Sequence, residues 1–437
     1  MNIVIAGAGK VGFNLAKTLC IGHNVAIIDN NKDALDRLSE SLDILPIYGN
    51  LENIHSYQSL VGKKINLLIV VTDNDNVNLV TTLMADTFLD IDKIFVRLQN
   101  HSYTNIKIKN RLHIDTVIFP TKVASLSIAA LLNYPKAMNM KFFKYTDYRL
   151  ASVLVSENIQ SIQIKENAYN IVGIERDKYF FIPKSSDEIR AKDLLYFMAL
   201  DEDVYTTCDT FVTENRPKIT KCVVFGGEDL GISITKALLE ITQDVKLVEK
   251  DFAICEKANE ILEGRATVIN SKYGTLDLFD NEGLDSADIF ISATKNDEYN
   301  IIKCLEAKDR GIKKVVAINN EVEYYNLMHS LGIVAMRGPK MSAYNTIMEE
   351  INPTGIILEK RFCGAKAIVY MRKLISTSRH INKKVKSLDG DNIQILYIRD
   401  NILIPFVDKL IIEENDIIMA FCSKDMSEKV KRWIYEL

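Results

Sequence analysis

Little in this chain of 437 residues is extreme, and each shortage removes a class of function. No stretch approaches the ~20 consecutive apolar residues that a bilayer-spanning helix needs, so any membrane role has to run through a partner. The chain opens directly on an apolar strand pattern, without the basic segment and apolar core of a secretory leader, which predicts a cytosolic protein. Charge of neither sign dominates: 54 Lys and Arg stand against 58 Asp and Glu, a formal net charge of −4. That balance argues against a dedicated nucleic-acid surface, where clustered cations must displace counterions from phosphates. The seven cysteines are scattered without a CxxC pair, and their odd number fits poorly with a disulfide framework, so they read as reduced core thiols. His23, His55, His101, His113, His329 and His380 show no i, i+4 pair and no nearby cysteine at ligand spacing, so no metal site is expected. Hydrolase and kinase signatures (GxSxG, GxxxxGK[ST], HExxH) are absent as well.

What is present is one pattern written twice. Residues 3–29, IVIAGAGKVGFNLAKTLCIGHNVAIID, return at 222–249 as CVVFGGEDLGISITKALLEITQDVKLVE. Each reads as apolar strand, glycine turn, amphipathic helix, apolar strand and terminal carboxylate. The repeat runs well past the turn, since Thr72, Asp75 and Asn78 recur as Thr294, Asp297 and Asn300 at one fixed offset. The chain is therefore a tandem duplication.

Four blocks follow. Residues 1–135 alternate short apolar runs (IVIAG, VAIID, ILPIY, NLLIVVT, KIFVRL, DTVIFP) with helix-period stretches, the signature of βαβ units on a parallel sheet covered on both faces. Residues 136–208 change to short strands rich in β-branched and aromatic residues (LASVLVS, SIQI, NIVGIER, KYFFIP, LLYFMA), a small α+β lobe. A charged stretch at 209–221, in which Pro217 discourages helix, links to a second Rossmann-like block at 218–355. Residues 356–437 repeat the small lobe through LISTS, NIQILYIRDNILIPF and LIIEENDIIMAFC. In both lobes a polar, acid-containing turn precedes the last apolar strand (IRAKDLLYFMA and IEENDIIMAF), which supports a shared fold. The expected fold class is α/β, two doubly wound parallel sheets each followed by a small lobe.

The glycine turn carries the first chemical expectation. In GAGKVG, spanning Gly7, Ala8, Gly9, Lys10, Val11 and Gly12, the first glycine permits the tight turn and the second leaves room for a pyrophosphate. Gly12 lets helix and strand pack closely, while the helix start offers free N–H groups and a positive dipole end. Asp29 ends the second strand about 20 residues on, where a carboxylate accepts hydrogen bonds from ribose hydroxyls. Asn30, Asn31 and Lys32 follow without an arginine, so NAD or an adenine nucleotide is expected over NADP. The structural alternative is a tight turn with a helix cap and no ligand. Gly49 and Asn50 end the third strand and Thr72 and Asp73 the fourth, and ligands of such sheets sit at the carboxyl ends of strands. Arg97 ends the next strand as either a phosphate partner or an ordinary surface ion pair.

The second copy alters this arrangement. Its turn reads GGEDLG: Gly226, Gly227 and Gly231 keep the fold geometry and Glu249 matches Asp29, but Glu228 stands in place of Gly9. A side chain there narrows the approach, and its charge, beside Asp229, opposes phosphate. The stretch matching the Arg97 strand, 315–318, has no arginine. A degraded second site with weak or no nucleotide binding is expected.

Two YxxxK matches, Tyr103 with Lys107 and Tyr299 with Lys303, raise an NAD-dependent oxidoreductase as the alternative function. So short a motif arises by chance in a chain with 18 tyrosines, so binding without turnover is favoured. The apolar helix at 123–134 is either a packing element between domains or a core helix, and the basic run at 372–386 either faces acidic lipid or is simply solvated.

Taken together, GxGxxG, the terminal acid, VVTDNDNVN, the FVR strand, the small lobe and the repetition of all of it resemble the TrkA family of peripheral potassium-uptake proteins. Single-copy relatives of that family are the KTN or RCK regulatory domains. The resemblance implies a non-enzymatic cytosolic subunit on the inner face of the membrane. It would assemble as a homo-oligomer, a dimer or tetramer of ring-like form, on a membrane-embedded Trk-type potassium transporter subunit. It further implies NAD(H) or ATP and ADP as ligands, with Gly7, Ala8, Gly9, Lys10, Val11, Asp29, Thr72, Asp73 and Arg97 as contacts.

Overall fold

The computed structural model describes all residues except 101, 102, 104, 105, 165–169, 215–217, 272–275, 322, 323 and 352–356. Pro217 and the expected boundary at 355–356 therefore lie outside the described residues. The chain divides into two compact units, one of Met1–Ala124 with Arg337–Met348, the other of Ser125–Met336 with Glu349–Leu437.

In the first unit, β1 (Asn2–Ala6), β2 (Asn24–Asp29), β3 (Leu45–Tyr48), β4 (Leu67–Val70), β5 (Ile94–Arg97) and β6 (Thr116–Ile118) form one sheet in the order β3-β2-β1-β4-β5-β6. All pairings are parallel. This is the doubly wound order whose reversal beside β1 opens a crevice at the carboxyl edge. Helix α1 (Lys10–Leu19) buries Val11, Leu15, Ala16 and Leu19, the i, i+4 and i+8 stripe, while Phe13 stays partly exposed. Helix α2 (Lys32–Ser39) starts on Asn31, whose side chain accepts from the Ala34 N–H, and α3 (Asp75–Phe88) starts on Asn74 in the same manner. Helix α4 (Pro120–Ala129) opens on Pro120, a position where the missing N–H costs nothing.

The second unit begins within α4. Ile128, Ala129, Leu131 and Leu132 join the core that contains Ile219, Cys222, Ile234 and Leu238 of the second Rossmann copy. So the apolar helix of the sequence packs onto the other copy. The buried Lys314 fastens this junction: its ammonium donates to the carbonyls of Leu131 (3.2 Å), Tyr134 (3.0 Å), Pro135 (3.3 Å) and Ala137 (3.2 Å). The first small lobe comprises β7 (Asn139–Phe142), β8 (Tyr148–Leu154), β9 (Ile171–Arg176), β10 (Tyr179–Phe181) and β11 (Leu194–Leu200), ordered β7-β8-β11-β9-β10. Helix α5 (Val204–Phe211) closes it and runs into the stretch read from sequence as a link, because Val204, Cys208 and Phe211 are buried against the sheet.

The second sheet repeats the first: β12 (Lys221–Phe225), β13 (Asp244–Glu249), β14 (Thr267–Asn270), β15 (Ile289–Ser292), β16 (Lys314–Asn319) and β17 (Val334–Arg337), ordered β14-β13-β12-β15-β16-β17. Helices α6 (Asp229–Leu239), α7 (Phe252–Leu262) and α8 (Asp297–Asp309) occupy the places of α1, α2 and α3. Helix α9 (Pro339–Ile351) gives its residues up to Met348 to the first unit, where the Tyr344 hydroxyl lies 2.8 Å from that of Thr18. The last lobe holds β18 (Ile357–Phe362), β19 (Ala367–Lys373), β20 (Ile393–Arg399), β21 (Ile402–Pro405) and β22 (Ile417–Ser423), ordered β18-β19-β22-β20-β21, closed by α10 (Ser427–Glu436). That is the order of the first small lobe. LISTS is not one of its strands. The strand ends at Lys373, and the segment turns back because the Ile375 N–H donates to the Ser378 hydroxyl (3.1 Å) and the Leu374 N–H to the Asp416 carbonyl (2.8 Å).

Each small lobe carries the same buried ion pair. Arg176 at the end of β9 grips Asp193 with bonds of 2.8 and 2.7 Å, and Arg399 at the end of β20 grips Asp416 with bonds of 2.8 and 2.6 Å. Both aspartates are almost fully buried, and each also accepts a backbone N–H, from Arg190 and Glu413 respectively. The two sheets share one core, in which Tyr196 and Leu150 meet Phe362, Val369 and Phe421.

All seven cysteines are free, and six are buried. Burial pushes the thiols of Cys208, Cys222, Cys304 and Cys422 up to about 12, far from the thiolate needed for reactivity. Among the described residues, no helix is long and apolar enough to cross a membrane.

Candidate functional site

The carboxyl edge of the first sheet gathers the residues singled out in the sequence. Gly7 sits at φ +111°, a conformation open mainly to glycine, and a Cβ there would press on Thr72 Cγ2 at 3.2 Å. Gly12 is required for a different reason: its Cβ would lie 1.8 Å from the Gly7 carbonyl oxygen. Gly9 is different again. It caps α1 in extended geometry, φ −66° and ψ −175°, which any residue adopts, and a Cβ there would meet nothing within 4 Å. No side chain caps this helix start. Its glycine therefore serves neither backbone nor packing, and leaves open space in front of the helix N–H groups.

Asp29 closes the turn from β2. One carboxylate oxygen accepts the Ala8 N–H at 2.6 Å and the other the Asn31 N–H at 2.7 Å, so the side chain is held at the crevice with lone pairs to spare. Gly49 follows β3 beside it, its N–H donating to the Asp29 carbonyl (3.0 Å). A Cβ on Gly49 would lie 2.3 Å from Ser56 Oγ, and the Asn50 side chain accepts the Glu52 N–H (2.9 Å). This pair shapes its own turn.

Thr72 and Asp73 follow β4. The buried Asn78 accepts both the Thr72 N–H (3.1 Å) and its hydroxyl (2.5 Å), and donates to the carbonyls of Thr72 (3.1 Å) and Arg97 (2.8 Å). Asp75 similarly accepts the N–H groups of Gln99 and Asn100, each at 2.8 Å. The second copy repeats both devices: Asn300 binds Thr294 and the Ile318 carbonyl (3.0 Å), and Asp297 accepts from Asn320 and Glu321. The repeated Thr, Asp and Asn thus hold neighbouring strand ends in register, a structural duty that their shared spacing did not disclose.

Arg97 is not an ordinary surface residue. Its side chain is only 6% exposed, and it reaches the exposed Asp73 carboxylate at 2.6 Å. Its Nε is buried with no partner. An under-satisfied guanidinium, an uncapped helix start and the open space at Gly9 together suit an anionic group.

The Asn300 contact to Ile318 makes that residue the counterpart of Arg97 in the first copy. In this unit Gly226 (φ +105°) and Gly231 (Cβ 1.7 Å from the Gly226 carbonyl oxygen) repeat Gly7 and Gly12. Gly227 stands where Ala8 does, and its Cβ would crowd Glu249 Cβ at 2.8 Å. Small-plus-long thus replaces Ala8 plus Asp29. Glu249 is buried and accepts the N–H groups of Gly227 (2.6 Å), Lys250 (2.7 Å) and Asp251 (3.0 Å). Glu228 caps α6 at φ −66°, and its carboxylate meets Lys295 Nζ at 2.6 Å; Asp229 meets Lys257 at 2.9 Å. The acids expected to repel phosphate each hold a lysine, which sequence reading missed because the partners lie far along the chain.

The YxxxK motif of this copy is committed to packing. Lys303 is buried, its ammonium lies 5.1 Å from the Tyr299 ring centroid and 5.6 Å from that of Phe225, and it pairs with Glu306 at 2.8 Å. The side chain of Lys107 lies outside the described residues.

A second polar cluster joins the small lobes. Glu175 is 5% exposed and receives Lys366 at 2.5 Å and the Cys363 thiol at 3.0 Å, with Lys366 also bonded to the Lys178 carbonyl (2.8 Å). Burial alone would raise the Glu175 carboxyl, but the bonds from Lys366 and Cys363 outweigh it and hold it below its ordinary value. Burial holds the nearby His329 below the usual histidine value, with the Glu175 charge opposing.

Two doubly wound sheets, each opening on a glycine turn and each followed by an antiparallel lobe, define a tandem protein of the Rossmann-like α/β class. The chain belongs to the TrkA-N domain family, whose model matches residues 3–120 and again 222–337, together more than half of its length. It is similar over nearly its whole length to proteins named Trk system potassium uptake protein TrkA. It is 26% identical over 451 residues to homolog 2 of Methanosarcina mazei (99% of each chain) and 27% over 444 residues to the homolog of Archaeoglobus fulgidus (99% of each). To TrkA of Vibrio alginolyticus it is 25% identical over 442 residues (96% of this chain, 95% of that one). Among solved structures, the RCK domain of GsuK matches with a TM-score of 0.57 at 14% identity, covering 100% of this chain and 95% of that one. The GsuK channel bound to NAD matches at 0.58 and 13%, covering 100% and 79%. At these identities the likeness is one of fold.

Proposed function

We propose that this chain is a nucleotide-binding regulatory subunit of a Trk-type potassium uptake system, acting on a membrane-embedded transporter and catalysing no reaction itself. The observation that carries the reading is the asymmetry of the duplication: two copies keep the fold, and one keeps an open phosphate seat. The N–H groups at Gly9, Lys10 and Val11 would face the phosphates, with Gly7 and Gly12 setting the turn. Asp29 would accept the ribose hydroxyls, and Arg97, exchanging Asp73 for a phosphate, would supply the cation. Ala8, Gly49, Asn50 and Thr72 frame the same edge. NAD or NADH fits the carboxylate at Asp29, and ATP or ADP fits the same seat with a shorter ligand. Gly226, Gly227, Gly231 and Glu249 form a seat without a place for the ligand.

Gating follows from differential binding. A ligand shifts an assembly only by the difference in its affinity for the two states, and the Arg97–Asp73 pair offers such a difference because bound phosphate and free chain compete for one guanidinium. We place the chain at the cytoplasmic face, in a homo-oligomer of dimeric or tetrameric, ring-like form. The names of the TrkA relatives support the transport assignment. Copurification of the tagged chain with a Trk-type membrane subunit, followed by potassium uptake into vesicles holding both, tests the proposal. Uptake should change with NADH or ADP while NADH remains unconsumed; uptake indifferent to nucleotide, or substrate-dependent NADH oxidation, would refute it.

A further inference from the structure

The two copies differ by a charge arrangement as well as by a glycine. In the first, position 9 is empty and Asp73, at the end of β4, pairs with the buried Arg97. In the second, position 228 carries a carboxylate and Lys295, the counterpart of Asp73, turns to it at 2.6 Å. The arginine position is Ile318, so no other cation comes from that strand end. The Glu228 carboxylate makes no bond to the helix N–H groups, but an anion carried at the helix start and clasped by a cation from a neighbouring loop presents the charges expected of a bound phosphate. Here the anion belongs to the chain. The backbone does not require it, since Glu228 sits at the same φ of −66° as Gly9.

We propose that the Glu228–Lys295 ion pair is the determinant that denies the second copy a nucleotide, its carboxylate standing where a phosphate would sit and its ammonium being the cation that phosphate would use. Asp229 does not share this role, because it lies one residue into α6, past the position that matches Gly9, and pairs with Lys257 on the neighbouring helix. Removing the Glu228 side chain both opens the space and frees Lys295, so one substitution changes the seat from closed to receptive, even with Glu249 satisfied by its own backbone.

The inference rests on the reading of the first copy as a nucleotide seat, and the test keeps the two apart. Full-length wild type, Glu228→Gly and Glu228→Gly/Lys295→Glu are titrated with NADH, following its fluorescence. Glu228→Gly should bind one more NADH per chain than wild type, and reversing Lys295 should abolish the gain. Glu228→Ser, whose hydroxyl suits a helix N-cap, carries the same expectation should glycine loosen the turn. No gain in either single variant, a gain that survives Lys295→Glu, or a wild type already binding two per chain overturns the inference. A wild type that binds nothing overturns the first-copy reading instead, while the difference between wild type and variant still decides this one.

Discussion

Gly9→Glu puts the second copy's carboxylate into the first copy's seat and separates binding from folding. The glycine meets nothing within 4 Å at its absent Cβ and has φ −66°, and Glu228 already occupies the equivalent backbone position. The fold should therefore tolerate the change, with a melting temperature within about 3 °C of wild type, since a surface N-cap exchange costs at most about 1 kcal/mol. Binding should not tolerate it. A carboxylate about 4 Å from a phosphate costs about 1 kcal/mol at the dielectric of water and about 4 kcal/mol at an effective value near 20. For a seat open to solvent on one side, about 2 to 3 kcal/mol is reasonable, roughly a 30- to 150-fold loss of NADH affinity. Gly9→Ala adds a methyl without charge and should lose far less. NADH titration beside a thermal melt reads both quantities. An affinity within threefold of wild type would refute the placement of phosphate at Gly9, and a collapsed melt would refute the claim that this glycine is free of structural duty.

Three further outcomes follow from the packing. Gly12→Ala should do what Gly9→Glu does not, lowering the melting temperature steeply, because its Cβ would lie 1.8 Å from the Gly7 carbonyl oxygen. Asp193→Asn or Asp416→Asn removes a buried carboxylate from a half-buried arginine and should cost about 3 kcal/mol at Arg176 and less at Arg399, which keeps Glu413, in denaturant unfolding; a loss under about 1 kcal/mol at Asp193 would contradict the importance of the repeated pair. Melting temperature should fall as pH drops below 6.5, and further below 4.5. The first step arises because the unfolded chain protonates His329 at its ordinary 6.5 while the buried ring resists. The second arises because Glu175, held below 4.5, stabilises fully above that value and loses its contribution as pH falls through its depressed value. His329→Gln should flatten the first step alone; an unchanged profile would exclude the histidine as its source.

Much of the fold was legible because its signals are local. The apolar runs gave all six strands of the first sheet, since buried parallel strands read as unbroken hydrophobic stretches. The small lobes were read less completely: β7, the closing helices α5 and α10, and the strand preceding LISTS were not singled out, although α10 is amphipathic and that strand opens on an apolar run; packing onto their sheets fixes them. At the site, Gly7, Gly12 and Asp29 announced their geometry through fixed spacing. Pairing across long separations was not announced. The acid-containing turns before β11 and β22 stood out, but Arg176 and Arg399 as their partners did not, and neither did Lys295 on Glu228. The fixed spacing of Thr72, Asp75 and Asn78 disclosed the duplication but not their duty, which is to tie strand ends together.

The central claim is that this duplicated chain keeps one nucleotide seat and performs no chemistry on what it binds. Equilibrium titration of the full-length wild-type chain with NADH, with absorbance followed at saturation, tests it most directly. The account predicts one NADH bound per chain and no loss of its absorbance; two per chain, none, or steady consumption of the cofactor would contradict it.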